Sequence, residues 1–190
     1  IEDLKTDTAD ISRVLNFRKL KKERMDSLML YLSNGQIKGH ENELYYFGRT
    51  LIRTATFISN DRTIAQLKSS GSLRLIGNEQ AADSMMAYQH LVETISTNQE
   101  DDRIERRAAD PFLSRIFNPF VFDSMVTIKG INRVTGNPPL RSYDPAFQQD
   151  LAYYVHQLKG SNFILQSRLG QLNEKAINLI AVLKKEYHLD

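Results

Sequence analysis

The sequence contains no cysteine. That removes disulfides, thiolate catalysis and cysteine-ligated zinc in one step. Proline is scarce, and all five prolines fall between positions 111 and 145. The rest of the chain lacks the residue that most strongly interrupts a helix. An excess of one charge is missing too. Twenty-five Lys and Arg stand against 23 Asp and Glu, a formal net charge of +2. A general nucleic-acid binder needs clustered basic residues, so no nucleic-acid partner is expected. No apolar run approaches the roughly 18–20 residues that span a bilayer, and no signal peptide is present. The chain begins at Ile1, without an initiator Met and directly in helical pattern. A piece of a longer chain is therefore expected, with its upstream part missing.

What is present is ordinary for a globular protein: 41% hydrophobic and 25% charged residues in 190 positions. That excludes a disordered chain and suffices for one domain with a real core. A single helical domain over 1–190 is expected.

The most distinctive run is Thr63 to Ile76, TIAQLKSSGSLRLI. A capping box of Thr63 with Gln66 is expected to open a short helix. Ile64 and Leu67 give it an apolar face, Gly71 ends it in the left-handed conformation, and Leu73, Leu75 and Ile76 follow as anchors.

Four long segments carry helical periodicity. The first covers 1–33, with Leu4, Ile11, Leu15, Met25, Met29 and Leu32 on its seam, and Asn34-Gly35 stops it. Its basic middle, RKLKKER from Arg18 to Arg24, reads as a solvated face. The second covers about 41–58, with Leu44, Phe47, Leu51, Ala55 and Ile58 on one side. The third starts at the N-cap Asn78 and runs to about Ala109. Tyr88, Leu91 and Ile95 belong to its buried face. Its second half, NQEDDRIERR, has one large apolar residue, Ile104, and is expected to project from the core or to be covered by the next segment. The fourth opens at Asp144-Pro145 and runs to about Tyr187, with a leucine-rich seam. Gly160 and Gly170 in it suggest close helix approach or a mild bend. The fold expected is all-α: an antiparallel four-helix bundle with an irregular, aromatic and proline-containing insertion, about 111–145, between the third and fourth helices. Phe112, Phe117, Phe120, Phe122 and Tyr143 should pack that insertion down.

IEDLKTDT, RTIAQLKSSGSLRLIGN and DSMMAYQHL together resemble a group of uncharacterised bacterial proteins, mostly from Bacteroidota. In that group one transmembrane helix precedes a helical domain carrying T-x-x-x-L-x-x-S-G-x-L-x-L-I, which here would be Thr63, Leu67, Ser70, Gly71, Leu73, Leu75 and Ile76. The resemblance covers roughly residues 1–95. It implies a location rather than a chemistry: the soluble part of a membrane-anchored, cell-envelope protein, with the periplasmic side favoured and the anchor upstream of Ile1.

No catalytic constellation is visible. Glu100, Asp101, Asp102 and Glu105 sit at consecutive helix positions with Arg103, Arg106 and Arg107 interleaved, which reads as a self-paired solvated face rather than a calcium site. His40, His90, His156 and His188 form no metal-ligand spacing, although His90 and His156 could meet across a bundle. No nucleophile, base and acid line up, and no nucleotide loop is present. No metal, no cofactor and no enzyme activity are expected. The best candidate pocket gathers Arg49, Arg53, Arg74, Tyr88 and Tyr154, where arginine with tyrosine could hold a carboxylate or phosphate. Three functions stay open: a non-enzymatic domain that senses a small ligand or binds a protein partner, a structural module that homo-oligomerises, and an enzyme of unrecognised type.

Overall fold

The computed structural model describes residues 1–35, 37–71 and 78–188, and the chain is mostly helical. In order it forms α1 (Glu2–Asn34), α2 (Glu41–Leu51), α3 (Arg62–Ser69), α4 (Glu79–Ala108), α5 (Asp110–Ile116), α6 (Pro119–Ser124), a two-stranded antiparallel hairpin β1 (Val126–Thr127) and β2 (Gly130–Ile131), and α7 (Pro145–Glu186). The chain divides into two compact units. The first is Ile1–Phe17, Ala55–Gln99 and Ile164–Asp190; the second is Arg18–Thr54 and Glu100–Phe163. Each has its own apolar core.

Local signals set the helix ends. Gly35 stops α1 at a φ of +62°, a conformation that costs a residue without Cβ little. Asn78 caps α4, its Oδ1 accepting from the Ala81 amide at 2.9 Å. Asp144 caps α7, accepting from the Ala146 amide at 2.8 Å. The capping box expected at Thr63 does not form. Asp61 holds the N-cap position of α3, and the Thr63 hydroxyl and amide both donate to Asp3 Oδ2, at 2.6 and 3.1 Å. A tertiary acceptor one helix away outcompetes the local Gln66. Gly71 takes its expected left-handed φ of +70°. The anchors Leu73, Leu75 and Ile76 lie outside the described residues.

In the first unit, α1 buries Leu4, Ile11 and Val14 against Leu91 and Ile95 of α4 and Leu165, Leu169 and Leu172 of α7. The second helix was expected to reach Ile58, but α2 ends at Leu51. Residues 53–60 carry no helix. Burial there alternates, with Ala55 and Phe57 inside and Thr56 and Ile58 outside, the two-residue period of an extended chain. Its backbone groups need partners, and side chains supply them. The Gln99 amide clamps the Phe57 peptide, accepting from its N–H at 2.7 Å and donating to its C=O at 3.0 Å. Asp7 takes the Asn60 amide at 2.8 Å. These partners come from distant helices, so helical periodicity alone could not find the break.

In the second unit, α2 is pinned by the segment after the hairpin. Asn137 Oδ1 accepts the Asn42 amide at 2.9 Å. Tyr143 donates to Glu41 at 2.8 Å and Tyr45 donates to the Pro139 carbonyl at 2.9 Å. Burial pushes the Glu41 carboxyl upward, but its hydrogen bonds, those from Tyr143 and Asn137 among them, outweigh it and hold the group below the usual range. The 111–145 insertion packs down as expected. Phe117 is buried, and Phe112 stacks on Tyr154 with ring centroids 4.2 Å apart. Phe120 departs from the expectation and stands 82% exposed. Within the expected extended run, Val126 and Thr127 pair in the hairpin while Ile128 and Lys129 make its turn.

Gly48 has a reason in this unit. A Cβ there would lie 2.7 Å from two ring atoms of Phe117, which is itself buried. Gly48→Ala is expected to cost about 1–3 kcal/mol through overpacking, read as a lowered urea midpoint at unchanged slope. Gly160 and Gly170 have no such reason: nothing lies within 4 Å of a Cβ built on either, so neither marks a close approach among the described residues.

Candidate functional site

The buried positions of α1 are Leu4, Asp7, Ile11, Val14, Arg18, Lys21, Met25 and Leu28. Their spacing alternates strictly between three and four, the heptad pattern of a coiled-coil seam. Three of these seats hold ionisable side chains. The basic run Arg18 to Arg24 is therefore not a wholly solvated face: Arg18 and Lys21 point inward. The seam of α7 has the same rhythm, and Asn162 occupies one seat in it. On α4 the inward seat is taken by Asp102, while Ile104 is exposed. The acidic cluster is thus only partly a self-paired surface. Glu100 pairs with Arg103 on the outside, but Asp102 is 1% exposed. The inward side of this α4 segment is polar and its large apolar residue faces out.

These seats meet inside the second unit. Arg18 approaches Asp102 at 3.7 Å and donates to Asn162 Oδ1 at 3.3 Å. Asn162 returns a bond to the Arg18 carbonyl at 3.2 Å. Arg106 binds the other Asp102 oxygen at 2.8 Å and reaches the Ile52 carbonyl at 3.1 Å, just beyond the end of α2. Lys21 Nζ is buried with no hydrogen-bond partner among the described residues. Burial pushes its ammonium down to about 8, and the neighbouring Arg18 and Arg106 act in the same direction against the pull of Asp102. Burial likewise lowers Arg18.

In the first unit, Asp7 is the inward ionisable seat. Its Oδ2 accepts from Tyr88 Oη at 2.5 Å and Ser59 Oγ at 3.0 Å; its Oδ1 accepts from the Asn60 amide at 2.8 Å and side chain at 2.9 Å. Burial, then the adjacent Asp7 carboxylate, raises the Tyr88 phenol above its ordinary value. With four donors on its two oxygens, Asp7 is engaged in fixing the Ser59–Asn60 turn to α1 and α4. Beside this network lies a cleft of about 310 Å³. Its walls are mostly apolar, including Leu4, Ile64, Leu67, Met85, Leu179 and Leu183, and its polar lining includes Tyr88, Ser59, Asn60 and Gln89.

The candidate pocket residues are divided by the fold. Tyr88 belongs to the first unit; Arg49, Arg53 and Tyr154 belong to the second. Arg74 lies outside the described residues. Within the second unit, Tyr154 is held by its stack on Phe112, and Arg53 is exposed. Arg49 lines a cavity of about 210 Å³ with Gly48, Phe117, Pro119, Phe122 and Arg141 in its wall. His90 and His156 are both exposed and lie in different units. Among the described residues, no three His, Asp or Glu side chains come together to hold a metal ion. No helix among them is long and apolar enough to cross a membrane. The chain matches no family model, no curated protein and no solved structure.

Proposed function

We propose that this chain is a non-enzymatic binding domain of a membrane-anchored bacterial protein, on the periplasmic side of the cell envelope, and that it senses a small, largely apolar molecule. The supporting observation is the cleft of the first unit. Its apolar walls with a few convergent polar groups are the usual composition of a small-molecule site. Tyr88 and Ser59 are already oriented by Asp7, so polar groups at the cleft are ordered before any ligand arrives. The membrane anchor and the location rest on the sequence resemblance over residues 1–95. The finer architecture belongs to the same proposal: the second unit, with parts of α1, α4 and α7 beside α2, supports a four-helix bundle reading with the 111–145 insertion attached.

The test starts with native mass spectrometry of the purified domain, followed by titration with a neutral naphthylamine dye whose fluorescence rises in apolar surroundings. Saturable, one-to-one binding is expected. Leu67→Asp should abolish it with helix content unchanged, because Leu67 is half-buried on the short α3. No saturable binding, or binding unaffected by Leu67→Asp, would sink the reading.

A structural module is the second reading. Tyr153, Gly160 and Phe163 face outward on α7, the two aromatics 60% and 70% exposed. A second copy packing there would appear in the same native spectrum as a dimer, and Phe163→Glu should return it to monomer.

A further inference from the structure

The cavity at Arg49 contains a cation that forms no direct ion pair among the described residues. Arg49 is half-buried, and its Nε is shielded from solvent with no hydrogen-bond partner. It makes no ion pair and no hydrogen bond to any described residue. What holds it is the Phe122 ring, whose centroid lies 5.8 Å from the guanidinium carbon. A second arginine, Arg141, lines the same cavity and commits one N–H to the Ser114 carbonyl at 2.8 Å. Arg53, four residues on and past the end of α2, adds to the positive field and lowers Arg49 further after burial has done so, while the Asp123 carboxylate acts in the opposite direction. A guanidinium N–H withdrawn from water with no acceptor is unfavourable until something accepts from it. Asp110 lines the cavity too, yet it pairs with neither arginine.

The geometry points to an anion site in this cavity that takes a small monocarboxylate with an apolar or aromatic body, held through the Arg49 guanidinium. The planar fork of arginine matches a carboxylate with two parallel hydrogen bonds. The other walls include Phe117, Phe122, Pro119 and Leu113, which favour a hydrocarbon or ring over a hydrated ion. Asp110 in the lining selects against a dianion, so phosphate is disfavoured relative to a monoanion. This site lies in the second unit and is independent of the cleft in the first.

The experiment is isothermal titration calorimetry of the whole chain with benzoate, using acetate and inorganic phosphate at matched ionic strength as comparators. Benzoate should bind one per chain, at least tenfold tighter than acetate. Arg49→Met should weaken benzoate at least tenfold. Arg53→Met, at an exposed position, should change it less than threefold, and Leu67→Asp should leave it unaltered. Should Arg49→Met fail to fold, Arg49→Lys decides: it keeps the charge and loses the fork, and a severalfold loss is expected. Absence of benzoate binding, unchanged affinity in the folded Arg49 variant, or phosphate binding tighter than benzoate would each overturn the proposal.

Discussion

Asp102→Ala is expected to destabilise the protein by about 3–5 kcal/mol, the usual cost of breaking a buried ion pair from one side. Asp102 is 1% exposed and is the carboxylate that both Arg18 and Arg106 face. Removing it leaves Arg18, which is 0% exposed, without its carboxylate partner in the core of the second unit. Arg106 would lose the partner that helps aim it at the Ile52 carbonyl, so the turn after α2 should loosen as well. Urea unfolding followed by circular dichroism measures the loss, and amide exchange near Ile52 locates it. Asp101→Ala, one residue away and exposed, should stay within about 0.5 kcal/mol. A loss below about 1 kcal/mol for Asp102→Ala would mean that this charge layer is hydrated in solution rather than dry.

Lys21→Met is expected to act in the opposite direction and stabilise the protein by about 1–3 kcal/mol at pH 7. Replacing an ill-compensated buried charge with an apolar side chain of similar volume removes its desolvation cost. Three cations, Arg18, Lys21 and Arg106, share Asp102, and Lys21 Nζ has no hydrogen bond among the described residues. The sign of the pH dependence follows. The folded-state ammonium sits near 8, below its ordinary 10.5. Between those values the unfolded chain binds more protons, so stability rises with pH across that window. Below about pH 8 the full penalty applies, on the order of 3 kcal/mol. Tyr88 opposes this at the alkaline end: its phenol is raised by burial and Asp7, so the unfolded chain ionises first and stability falls above about pH 10. Unfolding midpoints from pH 7 to 9.5 isolate the lysine. The wild type should climb, and Lys21→Met should be nearly flat. A destabilised Lys21→Met, or parallel curves, would show that the amine is satisfied by a partner.

Much of the helical outline was legible because its signals are local. Gly35, Asn78 and Asp144 act within a few residues of their own backbone, and the leucine-rich seam of α7 states its periodicity directly. The interior was harder to read. The seam expected for α1 passed over Asp7, Arg18 and Lys21 because they are polar, although the three-four spacing runs through all of them. That unbroken spacing was the signal available. The run NQEDDRIERR misled in the same way, since only the position of Asp102, not its chemistry, marks it as buried. Of the pocket residues, Arg49 and Tyr88 each line a cavity, in different units, with Tyr88 also held by Asp7, while Tyr154 is held by its stack on Phe112.

The sequence by itself determined where most helices begin and end, because caps, proline placement and a repeating apolar stripe act over one or two turns. Only the tertiary structure decided which charges are taken out of water, where α2 gives way to an extended chain, and how the chain divides into two cores. Those outcomes depend on partners supplied from far along the chain, Gln99 for Phe57 and Asp102 for Arg18. The free energy of a buried polar group is set by the group that meets it.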